Sequence, residues 1–247
     1  MLSPPNRLLF PMSRRSVRMW AAKNDAMTAS SPIHQRPYVP PPGSVTVTLI
    51  RHGASAPVIP GQRHPMFAGQ GNPALDPIGV EQAQRTAEAL CHPGQRPIDA
   101  IYTSTLVRTQ QTAEPLAERL GLTPIALADL REVYVGELEG GLLREAGAAG
   151  DPVVKAAMLL ERWDTIPGAE AEEAFSERLA RGLATAVEGR RDQRVALVVH
   201  GGVIARMLAD LTGASNFAFK GAENGSVSEF VLLADGRRWL RSYNVTY

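Results

Sequence analysis

From residue 45 onward, short runs rich in β-branched residues alternate with longer stretches of helical apolar spacing, a pattern that limits the fold more than any other feature of the chain. The strand candidates are 45–50, 98–102, 123–127, 195–199, 227–233 and 238–244. Between them, "LDPIGVEQAQRTAEAL" offers Asp76 as a helix cap and Pro77 at the first helical position. "STLVRTQQTAEPLAERLG" has Ser104 as its expected cap and Gly121 as its end, with Pro115 expected to kink or divide the helix. Residues 153–163 and 170–189 have helical character, and "GGVIARMLADLTG" opens a helix directly after a strand. This order predicts an α/β fold, a three-layer α/β/α sandwich around a mainly parallel central sheet. The last two strand candidates are joined by "ADGR" and read as a hairpin, so at least one strand should be antiparallel.

The first 44 residues do not share the pattern. They hold eight prolines and six basic residues against one acidic residue, Asp25, and show no apolar period. Such a segment buries too little surface to offset chain entropy, so residues 1–44 are expected to form a disordered or loosely packed tail and 45–247 the folded domain. Its composition lacks the apolar core of a secretory signal. An Arg-rich, acid-poor start also suits a transit peptide, although the prolines weaken the helix that reading needs, and Met12, Met19 or Met27 are alternative starts. With the tail at +5 and the whole chain at +1, the remainder is at −4, which gives no global reason to expect nucleic acid or an acidic membrane. No apolar run is long enough to span a bilayer, and a cytoplasmic location is expected. Cys91 is the single cysteine, which excludes an intrachain disulfide and a Cys-based zinc cage and fits a reducing compartment.

Two strand candidates end alike. "LIRHG" at 49–53 and "LVVHGGV" at 197–203 are apolar runs that stop at a histidine followed by glycine. In an open α/β sheet ligands bind beyond the carboxyl ends of the strands, so both imidazoles are expected to face one crevice. A single histidine at a strand end is more often a turn residue or a satisfied polar group; the pair, with Arg51 adjacent, favours chemistry.

With these motifs the chain resembles the histidine phosphatase, or phosphoglycerate mutase-like, superfamily over nearly all of 45–247. The resemblance rests on "LIRHG", "LDPIGVEQA", "YTSTLVRTQQTAEPLA", "LREVYVGELEG", "VVHGGV" and "NGSVSEF", in that order. It implies that His52 is the phosphorylated nucleophile, Arg51 and Arg108 clamp phosphate, His200 is a second phosphate-binding imidazole and Glu132 is the proton donor. Glu137 and Glu139 remain alternatives to Glu132, while Glu170 and Glu173 read as helix-face charges. Arg63 and His64, in a long segment expected to overhang the crevice, are candidate substrate contacts or plain loop residues.

These residue types suit phosphoryl transfer. A neutral imidazole attacks phosphorus and divides hydrolysis into formation and breakdown of a phosphohistidine. Arginine forks supply fixed positive charge for the equatorial oxygens, and a carboxyl group protonates the leaving alkoxide. Two departures from mutases stand out: "RHGASAPVIPG" lacks the Trp-Asn pair that usually follows RHG, and Arg144 and Lys155 are few basic residues to hold a second phosphate. The expected activity is therefore a metal-independent phosphomonoester hydrolase without cofactor. A phosphoglycerate mutase, an idle scaffold that binds phosphorylated ligands, and an adaptor acting through the basic tail are the alternatives. The expected partner is a small phosphorylated substrate, with neither nucleic acid nor membrane, and a homodimer is left open.

Overall fold

Valines and isoleucines of β1 (Val45–Arg51) and β6 (Arg194–Val199) are buried on both faces, as strands in the middle of a covered sheet must be. The computed structural model describes residues 34–247. It places these two strands side by side in parallel, with Ile50 opposite Val198 and Arg51 opposite Val199. The remaining strands are β2 (Met66–Phe67), β3 (Gln70–Gly71), β4 (Ala100–Thr103), β5 (Ile125–Ala126), β7 (Val227–Leu232) and β8 (Arg238–Val245). The six-stranded sheet runs β5-β4-β6-β1-β7-β8. Its first four strands are parallel, whereas β7 pairs antiparallel with β1 and β8 pairs antiparallel with β7 at the edge.

Helices α1 (Pro77–Leu90) and α2 (Val107–Leu120) cover one face of this sheet. Ala87, Leu90, Ala113, Leu116 and Ala117 pack there against Ile50, Ile101, Ala196 and Val198. Helices α3 (Leu142–Ala149) and α4 (Pro152–Leu160) follow, and α5 (Glu172–Val187) and α6 (Gly201–Thr212) cover the opposite face. Phe175, Leu179, Val203, Ile204 and Leu208 meet Val47, Leu49, Val195, Leu197 and Phe230 in that core. Residues of one strand thus feed alternate cores, which is the period-two consequence of the pleat. The three-layer α/β/α arrangement is the one expected from the sequence.

Several local expectations are corrected. Asp76 does cap α1, accepting from Gly79 N at 2.6 Å, but Ser104 does not cap α2, which starts at Val107 without a side-chain cap. Pro115 does not divide α2. Buried Ala113, Leu116 and Ala117 on both sides of it pack into the same core, and that packing holds the two halves as one helix. Helix α4 stops at Leu160, before the expected 163, because Glu161 turns left-handed with φ of 54°. Helix α3 and the β2–β3 hairpin were not expected. Pro40–Tyr247 form one compact unit. Ser44, with 1% of its surface exposed, bonds Pro41 O through its hydroxyl and accepts from Asp192 N. Residues 1–33 of the expected tail lie outside the described residues.

Candidate active site

The side-by-side ends of β1 and β6 bring the two histidines together. Arg51 is the last residue of β1, His52 follows it, and the amide of His52 still donates to Val199 O at 2.9 Å. His200 is the N-cap of α6. The imidazole centroids are 5.2 Å apart and the rings are inclined by 63°.

His52 is 4% exposed and has a defined tautomer. Nδ1 lies 2.7 Å from Gly53 O, which can only accept, so Nδ1 carries the proton and Nε2 keeps its lone pair. Arg108 Nε donates to that Nε2 at 3.3 Å, and Arg108 Nη1 donates to Gly71 O. Burial, reinforced by Arg108 and Arg51, holds the His52 pKa well below the ordinary histidine value. His200 is fully buried and shifted the same way, first by burial and then by Arg108 and His52. Its Nε2 lies 2.8 Å from Ser104 Oγ, while its Nδ1 has no partner. Thus Ser104, expected at a helix cap, instead orients the second imidazole.

Arg51 donates through Nη1 to Ala222 O, and its Nε is buried without a partner. Burial lowers its pKa, as it does that of Arg108, which is pushed down to about 10 and stays charged at neutral pH. Each unpaired buried donor costs about 1–3 kcal/mol unless a ligand satisfies it.

Glu132 approaches from the loop after β5. One carboxylate oxygen accepts from Val133 N at 2.9 Å and the other from Gly202 N at 3.1 Å, so the second residue of α6 holds this carboxylate. The loop is held in turn by Arg178, which donates to the carbonyls of Asp129, Arg131 and Glu132 and is itself gripped by both oxygens of Glu170. Glu170 is therefore an ion-pair partner and not a helix-face charge, while Glu173 is an exposed charge 3.9 Å from Arg162. Asn224 donates to His52 O at 2.8 Å. Sequence reasoning missed Arg178 and Asn224 as positioning residues.

Arg51, His52, Arg108 and Glu132 open into a crevice of about 340 Å³, whereas fully buried His200 lies behind them and is not among its lining residues. His64 lines it too, with its pKa lowered first by burial and then by Arg144. Arg63 is not among the lining residues; it donates to Glu139 O. Glu139 lines the wall but its carboxylate accepts from Gly71 N and Val135 N, and exposed Glu137 is not in the lining. Arg144 reaches the crevice and Lys155 does not, but Lys220 does. Five cations (Arg51, Arg108, Arg144, Arg206, Lys220) and three carboxylates (Glu132, Glu139, Glu172) line it, a surplus of two positive charges. That surplus matches one phosphate dianion.

Comparison with known proteins agrees with this geometry. The chain belongs to the histidine phosphatase superfamily, branch 1, whose profile matches residues 47–246. It is 29% identical over 195 residues to phosphoglycerate mutase-like protein 4 of Arabidopsis thaliana, covering 78% of this chain and 81% of that protein. A metal-independent phosphoserine phosphatase of the same plant is 31% identical over 173 residues, 69% of this chain and 70% of the relative. Among solved structures, a mycobacterial glucosyl-3-phosphoglycerate phosphatase superposes with a TM-score of 0.68 at 26% identity, over 82% of this chain and 100% of that one.

Among the described residues, no group of three or more His, Cys, Asp or Glu side chains could hold a metal ion, and no helix is long and apolar enough to cross a membrane.

Proposed function

We propose that the chain is a phosphomonoester hydrolase that works through a phosphohistidine at His52, without a metal ion. The observation that carries this reading is the tautomer of His52: a buried, neutral ring whose Nδ1–H is bound to Gly53 O and whose Nε2 faces Arg108. In the first step Arg108 Nε transfers its hydrogen bond from Nε2 to a phosphoryl oxygen, the freed Nε2 lone pair attacks phosphorus and the bond to the ester oxygen breaks. Glu132, as the carboxylic acid, passes its proton to the departing alkoxide. In the second step the Glu132 carboxylate takes a proton from water, the water oxygen bonds to phosphorus, and the P–N bond breaks with its electrons returning to Nε2. Arg51, Arg108 and His200 hold the phosphoryl oxygens. The unpartnered Arg51 Nε is a donor such a group would satisfy, and His200 Nδ1 is a second when Ser104 Oγ donates to Nε2 and leaves the ring proton on Nδ1. His64 contacts the alcohol. The reading is supported by the metal-independent phosphatase among the relatives and by the phosphatase fold neighbour.

A phosphoglycerate mutase must accommodate a bisphosphate intermediate of about four negative charges, whereas the crevice has a surplus of two positive charges with Glu132 ionised and three with it protonated. The test is release of inorganic phosphate from alkyl phosphates after exhaustive chelation, together with the fate of labelled 3-phosphoglycerate. Full activity under chelation and label appearing only as free phosphate are expected. Activity that returns only with an added metal would refute metal independence. Transfer of label to the isomeric phosphoglycerate faster than phosphate release would make the enzyme a mutase. The expected cytoplasmic setting belongs to the same reading.

A further inference from the structure

The crevice lining is not confined to the phosphate-binding groups. Its other half comprises Trp163, Phe217, Leu138 and Leu143, together with Lys220. Trp163 and Phe217 form an aromatic pair, centroids 5.0 Å apart and tilted by 43°, and the Lys220 ammonium lies 5.9 Å from the centre of the Phe217 ring. Both aromatic rings remain partly exposed to the crevice.

Three polar side chains of this half are bonded to one another. Arg206 donates to Glu172, Asp210 and Asn216, and the other oxygen of Glu172 accepts from Trp163 N. That network fixes the Trp163 backbone and occupies Arg206, both oxygens of Glu172 and the amide oxygen of Asn216.

We propose that this half is a subsite for an uncharged leaving alcohol that bears an aromatic ring, received by Trp163 and Phe217. The proposal rests on the hydrolase reading for the position of the phosphate. Three observations carry it. A volume of about 340 Å³ falls in the range of roughly 300–1,000 Å³ typical of small-molecule sites, so phosphate alone leaves much of it unfilled. The exposed wall is aromatic and aliphatic, and offset or edge contacts between rings add to simple area burial. A polyhydroxylated alcohol would bury hydroxyls opposite an internally satisfied network, which disfavours a sugar. The phosphate dianion offsets two of the positive charges of the crevice, and exposed Lys220 assists its entry.

Matched alkyl phosphates test the proposal, because 2-phenylethyl and propyl alcohols leave with similar difficulty. Turnover of 2-phenylethyl phosphate should exceed that of propyl phosphate in kcat/KM by about 30-fold, and also exceed that of glucose 6-phosphate and 3-phosphoglycerate. Trp163→Ala and Phe217→Ala should each reduce the phenylethyl-to-propyl ratio about tenfold, while Trp163→Phe keeps most of it. Taking a ratio within each variant removes losses caused by partial unfolding. A ratio near one in the unaltered enzyme, a ratio unmoved by both alanine variants, or preference for the sugar or carboxylate substrate would each overturn the subsite. Calorimetry with 3-phenylpropylphosphonate and propylphosphonate, which cannot be hydrolysed, reads binding separately from turnover. About tenfold tighter binding of the aromatic phosphonate is expected, and equal affinity overturns the proposal. Aromatic preference without turnover of any ester would count against the hydrolase reading and for the subsite.

Discussion

At the residue scale, function depends on how firmly three side chains are held. The His52 tautomer is fixed by Gly53 O, the His200 ring by Ser104 Oγ, and the Glu132 carboxylate by the amides of Val133 and Gly202. In the proposed mechanism, replacing Glu132 with Gln removes the proton donor. An alkyl phosphate should then slow about 10²-fold more than a nitrophenyl phosphate, whose phenolate leaves unaided. Equal slowing of the two esters in steady-state assays would reject the acid role. Gly202 provides a separate check. A methyl group there would stand 2.4 Å from a Glu132 carboxylate oxygen, and the flexible tip of Glu132 is what must move. Gly202 lies within α6, where alanine is the better helix former, so Gly202→Ala should melt no lower than the unaltered chain. Its alkyl phosphatase activity should nevertheless fall about 10- to 100-fold, and unchanged activity would show that the carboxylate position does not matter.

At the element scale, the site depends on how closely α1 approaches the end of β1. Gly53 and Gly79 meet there without side chains: a methyl group on Gly79 would stand 1.9 Å from Ala54 O, and one on Gly53 2.2 Å from Gly79 O. Both obstacles are backbone atoms, which cannot swing away. Gly79→Ala should cost about 1–3 kcal/mol, seen as a lower melting temperature, and reduce turnover by displacing His52. Gly147→Ala in α3, whose nearest obstacle is 3.9 Å away, is the control and should be neutral or stabilising. Melting curves that rank the two variants equally would contradict this account of the contact. The caps of α1 were legible because Asp76 and Pro77 act locally. Helix α3 was not, since eight residues interrupted by Gly147 give too short an apolar period. The same division holds within the site. His52 and His200 are marked by strand-end motifs. Arg178 acts on Glu132 from 46 positions away and Asn224 on His52 from 172, and no local pattern announces either contact.

At the scale of the whole molecule, charge shows what summed composition hides: the chain beyond residue 44 is net negative, yet its crevice has a surplus of two positive charges. The same burial that keeps His52 and His200 neutral links the site to stability. Both have folded pKa values well below the unfolded value near 6.5, so below that pH the unfolded chain binds protons that the folded chain refuses. Their contribution is present above pH 6.5 and is lost as pH falls through the range beneath it. Each adds a slope of up to about 1.4 kcal/mol per pH unit. Urea unfolding between pH 7 and pH 5 should show this decline, and a His52→Asn, His200→Asn double variant should show a shallower one. Equal slopes in the two proteins would mean that these histidines protonate in the folded state as readily as in the unfolded one.

The central claim is covalent phosphorylation of His52. Enzyme quenched with denaturant during turnover of a ³²P-labelled ester should retain an acid-labile, base-stable label on the peptide that contains His52, and His52→Ala should lose both label and activity. Full turnover by His52→Ala, or label that is acid-stable and resides on another residue, would contradict the account.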